Sequence, residues 1–284
     1  SLREARLPAM QSIKPGRKMM KMRKALAVFF PALLAVACIG AAAFFGLRIY
    51  DTCRQDAESE RAYGEMSQYV APCKKEPGEA AVPETPSPGG GLQEDAPRIL
   101  DIDFAALKEA SPDLVGWLYC PDTAVSYPLV QGQDNSYYLS HLADGSENRN
   151  GCLFMDCENR RDLSDENTLI YGHHMASGKM FASLVFYAGQ EYYEAHPVVY
   201  LVTEEKDYRL ELFAGYTAAV DSDAYTLRFA SKEDFAAWLV RIKGRSDFSS
   251  DVQVGEGDHI VTLSTCAYSF ENARYVVHGK LTEN

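Results

Sequence analysis

Three side chains in this chain have the chemistry of acyl transfer. Cys266 ends a β-branched, apolar run that begins at His259, and a second strand-like run starts at Arg274. Two such runs separated by a short loop read as an antiparallel hairpin, which sets Arg274 across from Cys266. A thiolate is the nucleophilic form of cysteine, and a fixed cation beside it favours that form. The base such a nucleophile needs is available upstream. Tyr171-Gly172-His173-His174 closes another apolar run, residues 167–170, and imidazole is the side chain best suited to exchange protons near neutral pH. A lone cysteine at a strand end is ordinarily an inert, buried thiol; its neighbours, Arg274 above all, are what open the other reading. Arg274 keeps its charge at any working pH and suits either substrate carbonyls or a developing oxyanion. In an extended segment His173 and His174 face opposite ways, so only one of them serves. His141, His196, His259 and His278 read as structural, and Lys280 as a solvated strand end.

The motifs around these residues resemble a known family. Thr-Leu-Ser-Thr-Cys at 262–266, with Arg274 eight residues later and the upstream Tyr-Gly-His, is similar to the sortase pattern. Gly116-Trp117-Leu118-Tyr119, residues 127–132 and the Asp134-Asn135 to Tyr138-Leu139 stretch resemble class B sortases in particular. The likeness runs from about residue 103 to 281. It implies a thioacyl intermediate on Cys266, with His173 as the proton carrier and Arg274 as the stabilising cation. It also implies that Ser264, Thr265, Tyr171, Asn135 and Leu139 line a peptide groove. By residue type alone, Asn135 is equally a turn or cap residue and Leu139 equally a core side chain. The implied partners are secreted proteins bearing a C-terminal sorting signal, with peptidoglycan or its lipid-linked precursor as the amine acceptor. Without the resemblance, residue types and spacing reach Cys-His acyl transfer, and another cell-envelope peptidase or a tethered, non-catalytic binding barrel stays open.

Charge is divided unevenly. Nine of the 28 Lys/Arg lie in residues 1–48 with a single acid, Glu4, while the remaining 19 are set against 39 Asp/Glu. The body, at net −20, is unsuited to nucleic acid, whose phosphates need clustered cations. The basic leader suits a membrane flank. Residues 25–47 carry no charge, long enough for a helix to cross a bilayer's hydrocarbon core. The positive flank predicts a cytoplasmic N-terminus and an extracytoplasmic body. A cleaved signal peptide is the competing reading, but its apolar core is shorter. Seven cysteines lack paired CxxC spacing, so no metal is expected, and nothing suggests an organic cofactor. Cys152 and Cys157 stand close enough to bridge, although two free thiols are the simpler expectation.

The elements that must position the chemistry follow from pattern. The chain divides into a basic leader (1–24), an apolar span (25–47), a spacer and linker (48–98) and a folded domain (99–284). Residues 51–71 are polar and free of proline and read as an exposed helix. Residues 72–97, with six prolines and Gly89-Gly90-Gly91, read as a flexible linker setting the reach of the folded part. Within the domain, Asp103 caps a short helix. Runs at 116–119, 124–130, 151–155, 167–171, 198–203, 208–217, 259–265 and 274–281 read as strands. Residues 179–188 and 231–243 have helical spacing, the latter with Ser231 as cap and Asp234 as partner. Eight short strands and few helices give a mainly β (α+β) fold, a sandwich or a closed barrel. The resemblance selects the closed sortase-type barrel of about eight strands with a few peripheral helices, preceded by a transmembrane helix.

Overall fold

The computed structural model describes residues 17–73, 98–266 and 273–284. The leader ahead of Arg17, the interior of the Pro/Gly-rich stretch and the loop after Cys266 lie outside the described residues. Two compact units are formed, Ser1–Arg54 and Gln55–Asn284. Helix α1 (Arg17–Ser67) is helical throughout, Pro31 included. Its apolar side chains from Phe29 to Ile49 are exposed on every face, which suits hydrocarbon rather than a protein core.

In the second unit the end of α1 departs from expectation. Residues 55–67 are not an exposed spacer, because Ser59, Tyr63 and Met66 are buried against the domain. They recur at helical spacing and so share one face. The chain then forms β1 (Val70–Pro72), which pairs antiparallel with β2 (Leu100–Ile102), Val70 opposite Ile102. Cys73 N–H donates to the Ile99 carbonyl at 3.4 Å. The two ends of the Pro/Gly-rich stretch therefore stand side by side, which removes the reach assigned to it as a linker. Arg98 adds an ion pair to the buried Asp207 at 3.0 Å. Helix α2 (Phe104–Ala110) starts where expected, with the Asp103 carboxylate accepting from Ala106 N–H.

The apolar, β-branched runs become β3 (Leu114–Tyr119), β4 (Ser126–Val130), β5 (Leu153–Met155), β6 (Asn167–Gly172), β7 (Val198–Val202), β8 (Asp207–Ala219), β9 (His259–Cys266) and β10 (Ala273–Glu283). They close into one barrel in the order β10-β8-β7-β3-β4-β5-β6-β9. Closure leaves no open edge for another chain to pair with. Two contacts are parallel, β4 with β5 and β6 with β9. Trp117, Leu129, Leu153, Leu201, Leu212 and Leu263 belong to the main core, all essentially without solvent contact. A second cluster lies where α4 (Lys232–Gly244) packs Phe235, Trp238 and Ile242 against Phe213, Ile260 and Val276. Ser231 caps α4 as the sequence predicts, its hydroxyl accepting from Asp234 N–H at 3.2 Å.

Two local expectations are corrected. Residues 181–188 form a 3-10 helix that starts two positions late. Met180 has φ +55° and bridges back to His174, so the chain is still turning at that point. A short helix, α3 (Gln190–Ala195), follows. Lys280 is no solvated end: it is in register with Ile260, bonds the Gln253 carbonyl at 3.1 Å and pairs with Asp258 at 3.0 Å.

His278 is wholly buried on β10. The Thr262 hydroxyl donates to Asn167 Oδ1 at 2.7 Å, so at 2.8 Å it accepts from His278 Nδ1–H. Nδ1 is therefore a protonated nitrogen, and His278 Nε2 has no hydrogen-bond partner among the described residues. Burial pushes its pKa down to about 3, while the nearest charges, Asp223 and Arg245, act in opposite directions. A depressed folded-state pKa contributes stability that is fully present above the unfolded value of 6.5 and is lost as pH falls below it. Unfolding free energy should thus fall by up to about 1.4 kcal/mol per pH unit from this residue alone between pH 6.5 and 3. Denaturant titrations across that range should show a shallower slope for His278→Asn; equal slopes would refute this account.

Candidate active site

The site is built on β9, which is bonded on both sides. Toward β6 the pairing is parallel, with Tyr171 opposite Ser264 and Gly172 opposite Thr265. Toward β10 it is antiparallel, with Cys266 opposite Arg274. His173 follows Gly172 directly, as Cys266 follows Thr265. Neighbouring strands run about 4.8 Å apart. The cysteine and histidine positions therefore leave adjacent parallel strands at the same end of the barrel, and the arginine stands on the other side of the cysteine.

His173, Arg274, Ser264, Thr265, Tyr171, Asn135 and Leu139 all line one cleft of about 350 Å³. A larger hollow of about 800 Å³ beside β1 and β2 is lined, among the described residues, by Asp101, Asp103 and Glu204 but by no histidine. Phe154, Val220 and Tyr225 complete the cleft. Leu139 is 45% exposed and belongs to the cleft rather than to the core. Asn135 is not the cap of the short 3-10 helix Tyr137–Leu139; Ser136 holds that position, and Asp134 accepts the Ser136 and Tyr137 amides.

His173 is held from three directions. Its Nε2 lies 2.8 Å from the Leu139 carbonyl, and since a carbonyl only accepts, Nε2 carries a proton. Its own carbonyl accepts from Phe181 N–H at 3.0 Å. The ring meets Gly151, where a Cβ would come within 2.9 Å of His173 Cδ2 and 2.6 Å of the Tyr138 carbonyl. Gly151 also has φ +58°, so this position requires glycine twice over. Gly172 is required as well, because a Cβ there would stand 2.4 Å from Leu153 and 2.6 Å from Phe181. Arg274 is half-buried and donates to the Ala273 carbonyl at 3.1 Å.

The floor is aromatic and hydrogen-bonded. Tyr171 and Tyr225 stack with centroids 6.4 Å apart and planes 10° from parallel. The Tyr225 hydroxyl lies 2.9 Å from Ser264 Oγ. Thr265 is buried, and its hydroxyl has no hydrogen-bond partner among the described residues. Asp156 ties the other wall together: one carboxylate oxygen accepts from Tyr171 O–H at 2.8 Å and from Asn135 Nδ2 at 2.9 Å. Asn135 in turn accepts from Cys157 N–H. Burial and Asp156 raise the Tyr171 phenol far above its usual range, so it stays neutral and donating. Cys152 and Cys157 are both free thiols. Burial pushes Cys152 up to about 12, and desolvation with Asp156 and Glu158 raises Cys157. Neither is a ready nucleophile at neutral pH.

Sequence reasoning missed Tyr225, Val220, Asp156 and Gly151. Tyr225 sits in a one-turn 3-10 helix, Asp223–Tyr225, with no periodic signal. Asp156 and Gly151 flank a three-residue strand in a polar stretch. The nearest available signal was the glycine before Cys152, in a run otherwise read as extended.

Comparison with known proteins bears on this geometry. The Sortase domain family matches residues 118–282. Sortase B of Listeria monocytogenes is 38% identical over 177 residues, covering 62% of this chain and 72% of the relative. Sortase B of Staphylococcus aureus is 34% identical over 180 residues, covering 63% and 74%. A Staphylococcus aureus sortase B–substrate complex has a TM-score of 0.61 at 34% identity, over 63% of this chain and 84% of that one. Sortase B from B. anthracis in complex with AAEK1 gives a TM-score of 0.66 at 31% identity, over 81% and 99%.

The Asp156 carboxylate supplies a testable constraint. Asp156→Ala leaves the part-buried Tyr171 hydroxyl without its acceptor, while the amide of the exposed Asn135 can turn to water; an unsatisfied buried polar group costs about 1–3 kcal/mol. Equilibrium denaturation should show a loss of that size. A loss below about 0.5 kcal/mol, the size of an ordinary surface substitution, would mean that the wall holds without it.

Proposed function

Since the chain belongs to the sortase family, in its class B branch of cysteine transpeptidases, we propose that it cuts a sorting signal in secreted proteins and joins the new acyl end to an amine of the cell wall. The observation that carries this reading is the register: Cys266 opposite Arg274 on β10, with His173 at the matching end of β6. These registers set the end of β6 beside the β9–β10 hairpin, and His173 and Arg274 both line the cleft there.

In the proposed reaction the Cys266 thiolate attacks the carbonyl carbon of the scissile peptide bond. The carbonyl oxygen takes the displaced electron pair, and the Arg274 guanidinium offsets that charge. The C–N bond then breaks, and the leaving amine takes a proton from the His173 imidazolium. A thioester remains on Cys266. An incoming amine attacks it, His173 takes the proton, the C–S bond breaks, and a new amide forms. The Leu139 carbonyl holds Nε2–H at rest, so the imidazole exchanges that bond for substrate during the cycle. Ser264, Thr265, Tyr171, Asn135 and Leu139 serve in this reading as the walls that orient the peptide, together with Val220 and Tyr225.

A sorting-signal peptide as the class of ligand is supported by the Staphylococcus aureus relative, whose sortase B has been solved in complex with substrate. Peptidoglycan or its lipid-linked precursor is the proposed amine acceptor. The exposed apolar side chains of α1 and the Lys/Arg-rich flank before residue 25 support a single-pass anchor over residues 25–47, N-terminus inside and catalytic domain outside.

Incubation with a library of sorting-type peptides should leave a thioester on Cys266, visible by mass spectrometry. Cys266→Ala and His173→Ala should each abolish transfer without unfolding the barrel. Arg274→Ala should lower kcat/KM by about 10²–10³, the cost of losing one oxyanion donor. Unchanged turnover in the cysteine or histidine variant would overturn the reading.

A further inference from the structure

The C-terminal part of α1 touches the machinery that holds His173. Tyr63 O–H donates to the Gly151 carbonyl at 2.6 Å, a buried bond between residues 88 apart in sequence. Gly151 is the residue whose missing side chain makes room for the His173 ring. Three more residues of the same loop bond the helix. Asn148 Nδ2 donates to the Gln55 carbonyl at 2.8 Å, and Arg149 N–H to Gln55 Oε1 at 3.0 Å. Asn150 Nδ2 lies 2.9 Å from both Asp56 Oδ1 and Ser59 Oγ. The helix also reaches the segment on the other side of the imidazole. The Tyr63 ring packs edge-on against Tyr127 at 5.4 Å, and the Tyr127 hydroxyl accepts from Met180 N–H at 3.3 Å. Lys179 forms an ion pair with Glu60. Met180 bridges His174, and the next residue, Phe181, bonds the His173 carbonyl.

One helical face therefore fastens both chain segments that confine His173. A helix that served only to cover apolar surface would need no such bonds; Tyr63 and Met66 packing would suffice. We infer that Tyr63 is a positioning residue for the reaction: through the Gly151 carbonyl it fixes the backbone wall against which the His173 imidazole rests. This inference rests on His173 acting as the proton carrier. Loss of the Tyr63 hydroxyl frees the Gly151 carbonyl to shift, and with it the contact at His173 Cδ2. The proton transfers on which kcat depends then lose alignment, while the peptide walls at Tyr171, Asn135 and Ser264 stay in place.

The test uses Tyr63→Phe in the full chain, which keeps the ring and removes the hydroxyl. Tyr187→Phe is the control, because Tyr187 donates a bond of the same kind, to the His196 carbonyl at 2.8 Å, away from the cleft. Both variants should melt at a similarly reduced temperature, and both are assayed well below it. Tyr63→Phe should lower kcat five- to tenfold with KM for the sorting peptide within twofold, and should displace one limb of the pH–rate profile. Its His173 imidazole NMR signals should move while those of His259 and His278 do not. Tyr187→Phe should leave kcat, profile and His173 signals unchanged. Asn150→Ala, which loosens the same loop from the other side, should reproduce the kcat effect if Tyr63→Phe folds poorly. Unshifted His173 signals with kcat within twofold in these variants would overturn the inference and leave the proposed function standing. Full activity in His173→Ala would instead overturn the proposed function itself.

Discussion

The hydrogen-bonded pairing of β9 to two neighbours of opposite sense sets every other feature of the cleft. The parallel contact with β6 fixes which residue of the Tyr-Gly-His segment arrives at the end of the strand, and the antiparallel contact with β10 fixes which residue faces Cys266. Side chains alternate along a strand, so a slip of one residue in either contact turns the whole set to the opposite face. The slip is opposed by burial. Ile260, Val261, Leu263, Val276 and Val277 have almost no solvent exposure, and a slip would move each out of the packing it now fills. The core that stabilises the barrel is thus the same object that fixes the strand ends carrying Cys266, His173 and Arg274.

The β9–β10 half of that alignment was legible because it is local in pattern; the parallel contact of β6 with β9 joins residues remote in the chain, and pattern alone did not name it. The β-branched runs ending at Cys266 and starting at Arg274 name their own hairpin, and the apolar run before Tyr171 names its strand. Closure into a barrel was legible only through family likeness, since alternating strands fit a sandwich equally well. The helix face formed by Ser59, Tyr63 and Met66 was missed for a physical reason. Its neighbours are Glu58, Glu60, Arg61 and Glu65, and two small or amphipathic residues with one methionine give little apolar contrast. The spacing was there, but the signal that distinguishes a packed helix from a solvated one was weak.

The polar walls of the cleft were the least readable part. Asp156, Tyr225 and Gly151 act through single bonds or single missing atoms, not through periodicity. Their partners are remote in the chain: Asp156 meets Asn135 and Tyr171, Tyr225 meets Ser264, and Gly151 meets Tyr63 and His173. Such contacts exist only after the barrel has closed. Sequence pattern points to the candidate cysteine, histidine and arginine; the groups packed around them are a property of the assembled surface.

The pairing of β1 with β2 has its own consequence for how this chain tolerates change. Since Cys73 and Ile99 are hydrogen-bonded neighbours, the stretch from 74 to 97 begins and ends at one spot, and its contour adds nothing to the span between other parts. The entropy of closing such a detour grows only slowly, by about 0.6 kcal/mol for each doubling of length. On closure entropy alone, a change of length there costs little. A protease that severed it would break one covalent link and none of the contacts by which residues 55–72 grip the barrel.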